Sequence, residues 1–302
     1  MRSPGIARSA GCNETPPAMI LVTGANGNTG SEVTRQLVAA GRPVRALVRT
    51  RENGAKLPQA GVEIALGAFA DIASLDAAMK GVDAVFLISF EHPEQLALQA
   101  NVIEAARRAG VRIVARLSAS SADAQSPDPL ISTHGKGDLQ LARSGLGHVL
   151  IRPQWFNQNF LSYCPGGVLR LPAGEARLPF VDIRDIAAVT IKALTEPGHD
   201  GKAYVLTGPE ALSHAEVAAI LSEATGRRFV YEDIPPETYR EMLIAGGASE
   251  FRADLVVNLF DRMRRRGTAP VSGDIASVLG RPAIDFRQFA RDYAGEIAKQ
   301  VG

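Results

Sequence analysis

Three glycines spaced three apart, Gly24, Gly27 and Gly30, close the apolar run Met19-Ile-Leu-Val-Thr23. A helical pattern follows, with Val33, Leu37 and Val38 on one side. A strand, a tight glycine turn and a helix N-terminus together make an anion site. Unpaired backbone N–H groups and the positive end of the helix dipole face the turn, and glycine lets a pyrophosphate approach the main chain closely. Asn26, Asn28 and Thr29 lie within the turn and join the three glycines as the residues expected to hold a nucleotide cofactor. The spacing is G-x-x-G-x-x-G rather than G-x-G-x-x-G, so the mechanism carries the assignment and not the letter pattern.

The end of the second apolar run selects the dinucleotide. A site for NAD usually carries a carboxylate there, accepting the ribose hydroxyls. Here the run ends Leu47-Val48-Arg49-Thr50-Arg51, and no acid stands before Glu52. A carboxylate repels a 2′-phosphate, whereas a guanidinium offers it several charge-assisted donors. NADP(H) is therefore expected over NAD(H), with Arg49 as the leading contact and Arg51 behind it. The plainer reading is that these arginines begin a solvated helix.

Those residues need a scaffold, and the rest of the chain supplies the pattern for one. Strand-like runs at 19–23, 43–48, 62–66, 83–89, 111–117 and 148–152 alternate with helical stretches near 30–40, 73–80, 94–109 and 134–144. Gly41, Gly81, Gly110 and Gly145 stand where the helices should stop. Such alternation predicts an α/β fold, a doubly wound parallel sheet with its ligand crevice at the carboxyl ends of the strands. Past about residue 150 the rhythm changes. A strand-like Tyr204–Leu206 precedes the capping box Ser213-x-x-Glu216, then Arg-rich and Pro-broken stretches lead to a closing helix near 286–300. The expected division is a disordered leader over 1–18, a nucleotide-binding domain over 19–157, and over 158–302 mostly a smaller α/β lobe covering the sheet's C-terminal edge. Some segments of that last part should return to the first domain. The natural start is expected at Met19.

Composition narrows the class. The chain has 302 residues, 46% of them hydrophobic, and a formal net charge of +1. Near neutrality gives no electrostatic reason to expect direct nucleic-acid or membrane-surface binding. Cys12 and Cys164 match no metal or redox spacing, the five histidines show no ligand spacing, and no metal is expected. No apolar run approaches the length of a membrane span. A cytoplasmic protein, monomer or homodimer, acting on a small molecule is the expectation.

The turn TGANGNTG, Arg49, Gly81-Val-Asp83, Ser132-Thr-His134-Gly-Lys136-Gly-Asp138, Leu150-Ile-Arg-Pro153-Gln-Trp155-Phe156-Asn-Gln-Asn159 and Val181-Asp-Ile-Arg-Asp185 together resemble the NmrA-like branch of the atypical short-chain dehydrogenases. The resemblance runs from about 19 to 294. It implies an NAD(P)-binding Rossmann domain with a small C-terminal lobe. Its members include NADPH-dependent quinone reductases, ergot-alkaloid-type imine reductases and non-catalytic redox sensors. It places Lys136 where the superfamily lysine would stand, donating to the nicotinamide ribose, with His134 or Ser132 as a proton source. Conventional members use a Tyr whose pKa is lowered by a Lys four residues on. Here the residues four before the six lysines are Glu52, Asp76, Ser132, Ala188, Gly198 and Gly295. The tyrosine mechanism is absent.

That absence favours an acceptor needing little acid help. A quinone becomes an aromatic hydroquinone, and an iminium already carries the positive charge. Pro153, Trp155 and Phe156 follow the sixth strand and should reach the crevice, Pro153 and Phe156 against the cofactor and Trp155 in the substrate pocket. Ser89 and Ser118 are expected at the cofactor, Ser120 beside them, and Phe90, Glu91 and His92 in the pocket wall. Asp71 and Asp185 read as helix caps. The expected function is NADPH-dependent hydride transfer to a small hydrophobic acceptor, a quinone first. A non-catalytic NADP(H)-binding sensor and an iminium or other biosynthetic-intermediate reductase are the alternatives.

Overall fold

A computed structural model describes residues 18–58 and 60–301; the leader expectation falls almost wholly outside them. The first half alternates as β1 (Met19–Val22), α1 (Asn28–Ala39), β2 (Val44–Val48), α2 (Arg51–Ala55), β3 (Val62–Leu66), α3 (Ile72–Ala78), β4 (Val82–Leu87), α4 (Gln95–Ala109), β5 (Ile113–Leu117), α5 (Pro129–Ala142) and β6 (Gly147–Pro153). The second half contains β7 (Val168–Leu171), β8 (Arg177–Leu178), α6 (Ile183–Thr195), β9 (Lys202–Leu206), β10 (Leu212–Ser213), α7 (His214–Thr225) and β11 (Val230–Asp233). It ends with α8 (Pro236–Ala245), α9 (Glu250–Arg266), α10 (Asp274–Leu279), α11 (Phe286–Asp292) and α12 (Ala294–Ala298).

Seven strands form one parallel sheet in the order β3-β2-β1-β4-β5-β6-β9. The order reverses between β1 and β4, which opens a crevice beyond their carboxyl ends. Strands buried on both faces read as nearly continuous apolar runs, and their alternating residues feed two cores. Ile20, Val22 and Phe86 pack with α1, α6 and α10 through Val33, Ile186 and Val278. Leu21, Val85 and Val114 pack with α3, α4 and α5 through Leu75, Val102 and Leu141. A third core, centred on Phe160, Phe180, Phe260, Phe286 and Phe289, belongs to the remaining segments. There β7 pairs with β11 in parallel and β8 with β10 antiparallel.

Three local expectations need correction. The closing helix is broken, because the backbone leaves helical geometry at Tyr293, which caps α11 and starts α12. α5 begins five residues early, since the Asp128 side chain accepts from Leu130 N and Ile131 N and Pro129 suits the first helical position. Asp71 caps α3, but Asp185 caps nothing: Asp182 takes that role for α6. Asp185 lies one turn inside, fully buried, accepting from Ile284 N at 2.7 Å and paired with Arg281 at 2.7 Å. It pins the segment before α11 to the sheet's helix layer.

Candidate active site

The glycine turn is built for close approach. Gly24 takes φ +58°, a left-handed conformation that favours glycine. A Cβ on Gly30 would lie 2.3 Å from the Gly24 carbonyl oxygen, so α1 meets the end of β1 only because residue 30 lacks a side chain. Gly27 is the N-cap of α1 and provides no side-chain acceptor. The helix therefore presents its first N–H groups unsatisfied beside exposed Gly24, Asn26, Gly27 and Asn28. Thr23 fixes the turn from below, its hydroxyl donating to the Ile88 carbonyl at 2.8 Å. Asn26 donates through its side-chain amide to the Asn53 carbonyl and ties the turn to α2.

Arg49 follows β2 directly and its side chain is exposed. Its guanidinium stands 5.8 Å over the ring of Phe90, and Phe90 meets His92 edge-on at 5.6 Å between centroids. These three residues form one stack where β2 and β4 end. Phe90 and His92 thus accompany Arg49 beside the glycine turn rather than the aromatic lobe. The His92 ring closes its own turn by accepting from Glu94 N at 3.1 Å. Arg51 is the first residue of α2, whose N-cap is Thr50, so for Arg51 the plainer helical reading holds.

A buried polar chain runs between β4, α4, β5 and α5. Gln95 and Gln99 donate to the Ser89 hydroxyl at 2.8 and 2.6 Å. Gln99 also accepts from Arg116 Nε at 2.9 Å. Arg116, with no exposed surface, pairs with Asp138 at 2.6 Å and donates to the His134 carbonyl at 3.3 Å. Asp138 holds Arg152 at 2.8 Å. With two amides donating to its oxygen, Ser89 keeps its hydroxyl proton for something else. Nothing in the sequence marked Arg116, because an arginine in an apolar strand looks like an interruption; only the fold brings it against Gly137, whose Cβ would lie 2.3 Å from Arg116 Nη2.

His134 and Lys136 part company. Burial, reinforced by the Arg116 cation, pushes the His134 imidazole down to about 3. A neutral ring of that kind donates a hydrogen bond but does not deliver a proton as imidazolium. Its Nδ1 is buried without a partner. Lys136 is exposed and shares the outer side of α5 with Leu139, Gln140 and Arg143, beside Leu96 of α4. The helix buries Ser132, Gly135 and Asp138 instead. On this placement Lys136 does not share the inward side of α5.

Beyond β6 the chain runs toward the third core. Pro153 is buried and its carbonyl accepts from Ser120 N at 3.0 Å. Phe156 packs against the sheet core and bridges Val181. Trp155 turns the other way, 5.2 Å from Phe260 and 6.4 Å from Tyr163, with its indole N–H buried and unpartnered. A cavity of about 300 Å³ lies past the carboxyl ends of β5, β6 and β9, lined by Ser120, Gln154 and Thr207 on the sheet side and by Arg262, Met263 and Arg266 of α9 on the other. Sequence reasoning missed Arg262 and Arg266, which sat in an Arg-rich helix with nothing to point inward.

The residues present fit a dinucleotide. An uncapped helix N-terminus behind a close glycine turn suits a pyrophosphate. Past β5, Ser118 Oγ is buried without a hydrogen-bond partner, as are Arg116 Nη2 and His134 Nδ1. Buried polar atoms normally have partners, so a polar ligand is the expected complement to this group. Among the described residues no His, Cys, Asp and Glu group could hold a metal ion, and no helix is long and apolar enough to cross a membrane.

The model of the NmrA-like family matches residues 16–265. The NAD(P)H azoreductase of Xenophilus azovorans is 38% identical over 91% of this chain and 98% of its own length. A (4-alkanoyl-5-oxo-2,5-dihydrofuran-3-yl)methyl phosphate reductase of Streptomyces griseus is 37% identical over 93% of this chain and all of its own. The crystal structure of an Escherichia coli NADPH-dependent quinone oxidoreductase complexed with NADPH superposes with a TM-score of 0.80 at 28% identity, covering 91% of this chain and 99% of that one. The parallel sheet, the glycine turn and these matches across nearly the whole length agree: the chain belongs to the NmrA-like family and is an oxidoreductase of it.

Proposed function

We propose that the protein is an NADPH-dependent reductase of small, planar, conjugated acceptors, with a quinone as the first choice. The glycine turn at the head of α1 holds the pyrophosphate, Arg49 takes the 2′-phosphate, and Ser89, Ser118, Pro153 and Phe156 position the remainder. When bound, the reduced nicotinamide supplies a hydride. The relatives named for azo, butenolide phosphate and quinone reduction support an acceptor whose electrons are delocalised.

The observation that carries the reading is the absence of a Tyr-x-x-x-Lys pair, beside a His134 whose Nδ1 is buried without a partner. The His134 imidazole is held neutral, with burial pushing it down to about 3. A ketone needs a proton delivered as hydride arrives; a quinone takes its protons from solvent afterwards. The site's work is then to bind, orient and exclude water, with His134 and Ser118 offering hydrogen bonds. Lys136 and His92 have no part in it.

Titration of the protein with NADPH and NADH, followed by the fluorescence of Trp155, and then turnover on a quinone panel followed at the nicotinamide absorbance band, tests the proposal. Tighter binding of NADPH with quinone-dependent oxidation is expected. Binding without turnover on any quinone, iminium or azo acceptor would overturn the catalytic reading.

A further inference from the structure

The cavity past the carboxyl ends of β5, β6 and β9 has an asymmetric lining. Leu178, Met263, Ala269 and Pro270 provide apolar surface, whereas Arg262 and Arg266 bring two guanidiniums, and no carboxylate belongs to the lining. Arg262 and Arg266 are four residues apart on α9 and share one face of it. Like charges at that spacing oppose each other unless something neutralises them.

The available acid does so only in part. Asp128 Oδ2 approaches Arg262 Nε at 3.3 Å, outside hydrogen-bond geometry, and the carboxylate is already capping α5 through Leu130 N and Ile131 N. Arg262 Nη1 donates to Ser121 Oγ at 2.6 Å, which fixes the guanidinium and leaves the Ser121 hydroxyl proton free to donate. Desolvation destabilises the Arg262 cation; Asp128 offsets part of that and Arg266 adds to it. The neighbouring arginines of α9 are satisfied: Arg264 pairs with Asp233 and Arg265 with Asp261. Arg262 is therefore under-compensated at the pocket wall, and Arg266, one turn further on and exposed, makes no ion pair among the described residues.

We propose that this pocket recognises a compact oxyanion, sulfonate, phosphate or carboxylate, carried by the hydride acceptor, whose flat apolar body lies against Leu178, Met263 and Pro270. A guanidinium pair with hydroxyls around it matches the several acceptors of such a group. The volume of about 300 Å³ suits a small ring system and its substituent. This assignment rests on the reductase reading for turnover but not for binding.

The experiment uses a pair of acceptors and one probe that cannot be reduced. Naphthoquinone and naphthoquinone sulfonate are compared as acceptors with NADPH, and naphthalenesulfonate, which cannot be reduced, is titrated calorimetrically into the full chain in the presence of NADP⁺. The sulfonated quinone is expected to be favoured in kcat/KM on the order of tenfold, as one good charge-assisted contact provides. That selectivity ratio should fall to near one in Arg266→Ala, invert in Arg266→Glu, and recover in Arg266→Lys. Naphthalenesulfonate should bind and weaken in Arg266→Ala. Equal use of both quinones with a ratio insensitive to Arg266 overturns the anion assignment and leaves the reductase reading standing. Arg266-dependent binding of naphthalenesulfonate without turnover of either quinone supports the anion site and removes the reductase reading. No binding and no selectivity removes the site.

Discussion

Arg116 and Asp138 face each other at 2.6 Å with almost no surface of either exposed, and Asp138 is shared with Arg152 on the neighbouring strand. One buried carboxylate thus holds α5 to β5 and β6 and orients the carbonyl of His134 through Arg116 Nη1. Asp138→Asn keeps the shape but strands the buried cation. Breaking such a pair from one side costs about 3 kcal/mol. Urea unfolding should show a loss of that order; a midpoint shift worth under about 1 kcal/mol would mean that water reaches the pair.

Gly30→Ala should separate the cofactor turn from the rest of the fold. The new Cβ falls 2.3 Å from the Gly24 carbonyl oxygen, so the turn must open or α1 must move. NADPH affinity is expected to drop by at least about tenfold, one strong interaction's worth, while the far-ultraviolet circular dichroism stays that of the parent. Unchanged affinity would show that the phosphates do not sit against this turn.

Arg49→Ala tests dinucleotide choice. If Arg49 meets the 2′-phosphate, the variant loses affinity for NADPH by about tenfold and barely changes for NADH, since a charge-assisted pair is removed from one ligand only. Equal losses for both would place Arg49 on the adenine, which its position over Phe90 at 5.8 Å also permits.

His214 predicts a pH dependence of stability. It is buried among Phe160, Phe180, Phe260 and Tyr231, both ring nitrogens lack partners, and burial pushes its pKa down to about 4. Its folded pKa lies below the unfolded value near 6.5, so the unfolded state binds the proton first. The stabilising effect of the neutral ring is complete above about 6.5 and is lost as pH falls from there toward about 4, at up to about 1.4 kcal/mol per unit. His134, pushed down to about 3, adds a second slope of the same sign. His214→Phe should flatten the stability–pH curve across this window and gain most at its acid end. An unchanged curve would show that the ring protonates in place.

Periodicity made the parallel sheet legible from the residues alone, because a strand covered on both faces must be a short unbroken apolar run and its helix must show a 3.6-residue stripe. The glycine turn was legible for the same local reason: Gly24, Gly27 and Gly30 sit within a few residues of the strand and helix they join. The exclusion of a Tyr-x-x-x-Lys pair needed only counting. Side-chain partnership across long separations was not legible. Arg116 with Gln99 and Asp138, Arg49 with Phe90, and Arg262 with Ser121 are joined by the sheet order and by α9 folding back over it. For the same reason Lys136 and His134, two residues apart, have opposite fates. On a helix, residues that close in sequence point about 200° apart, and only the packing of α5 decided which of them turns inward.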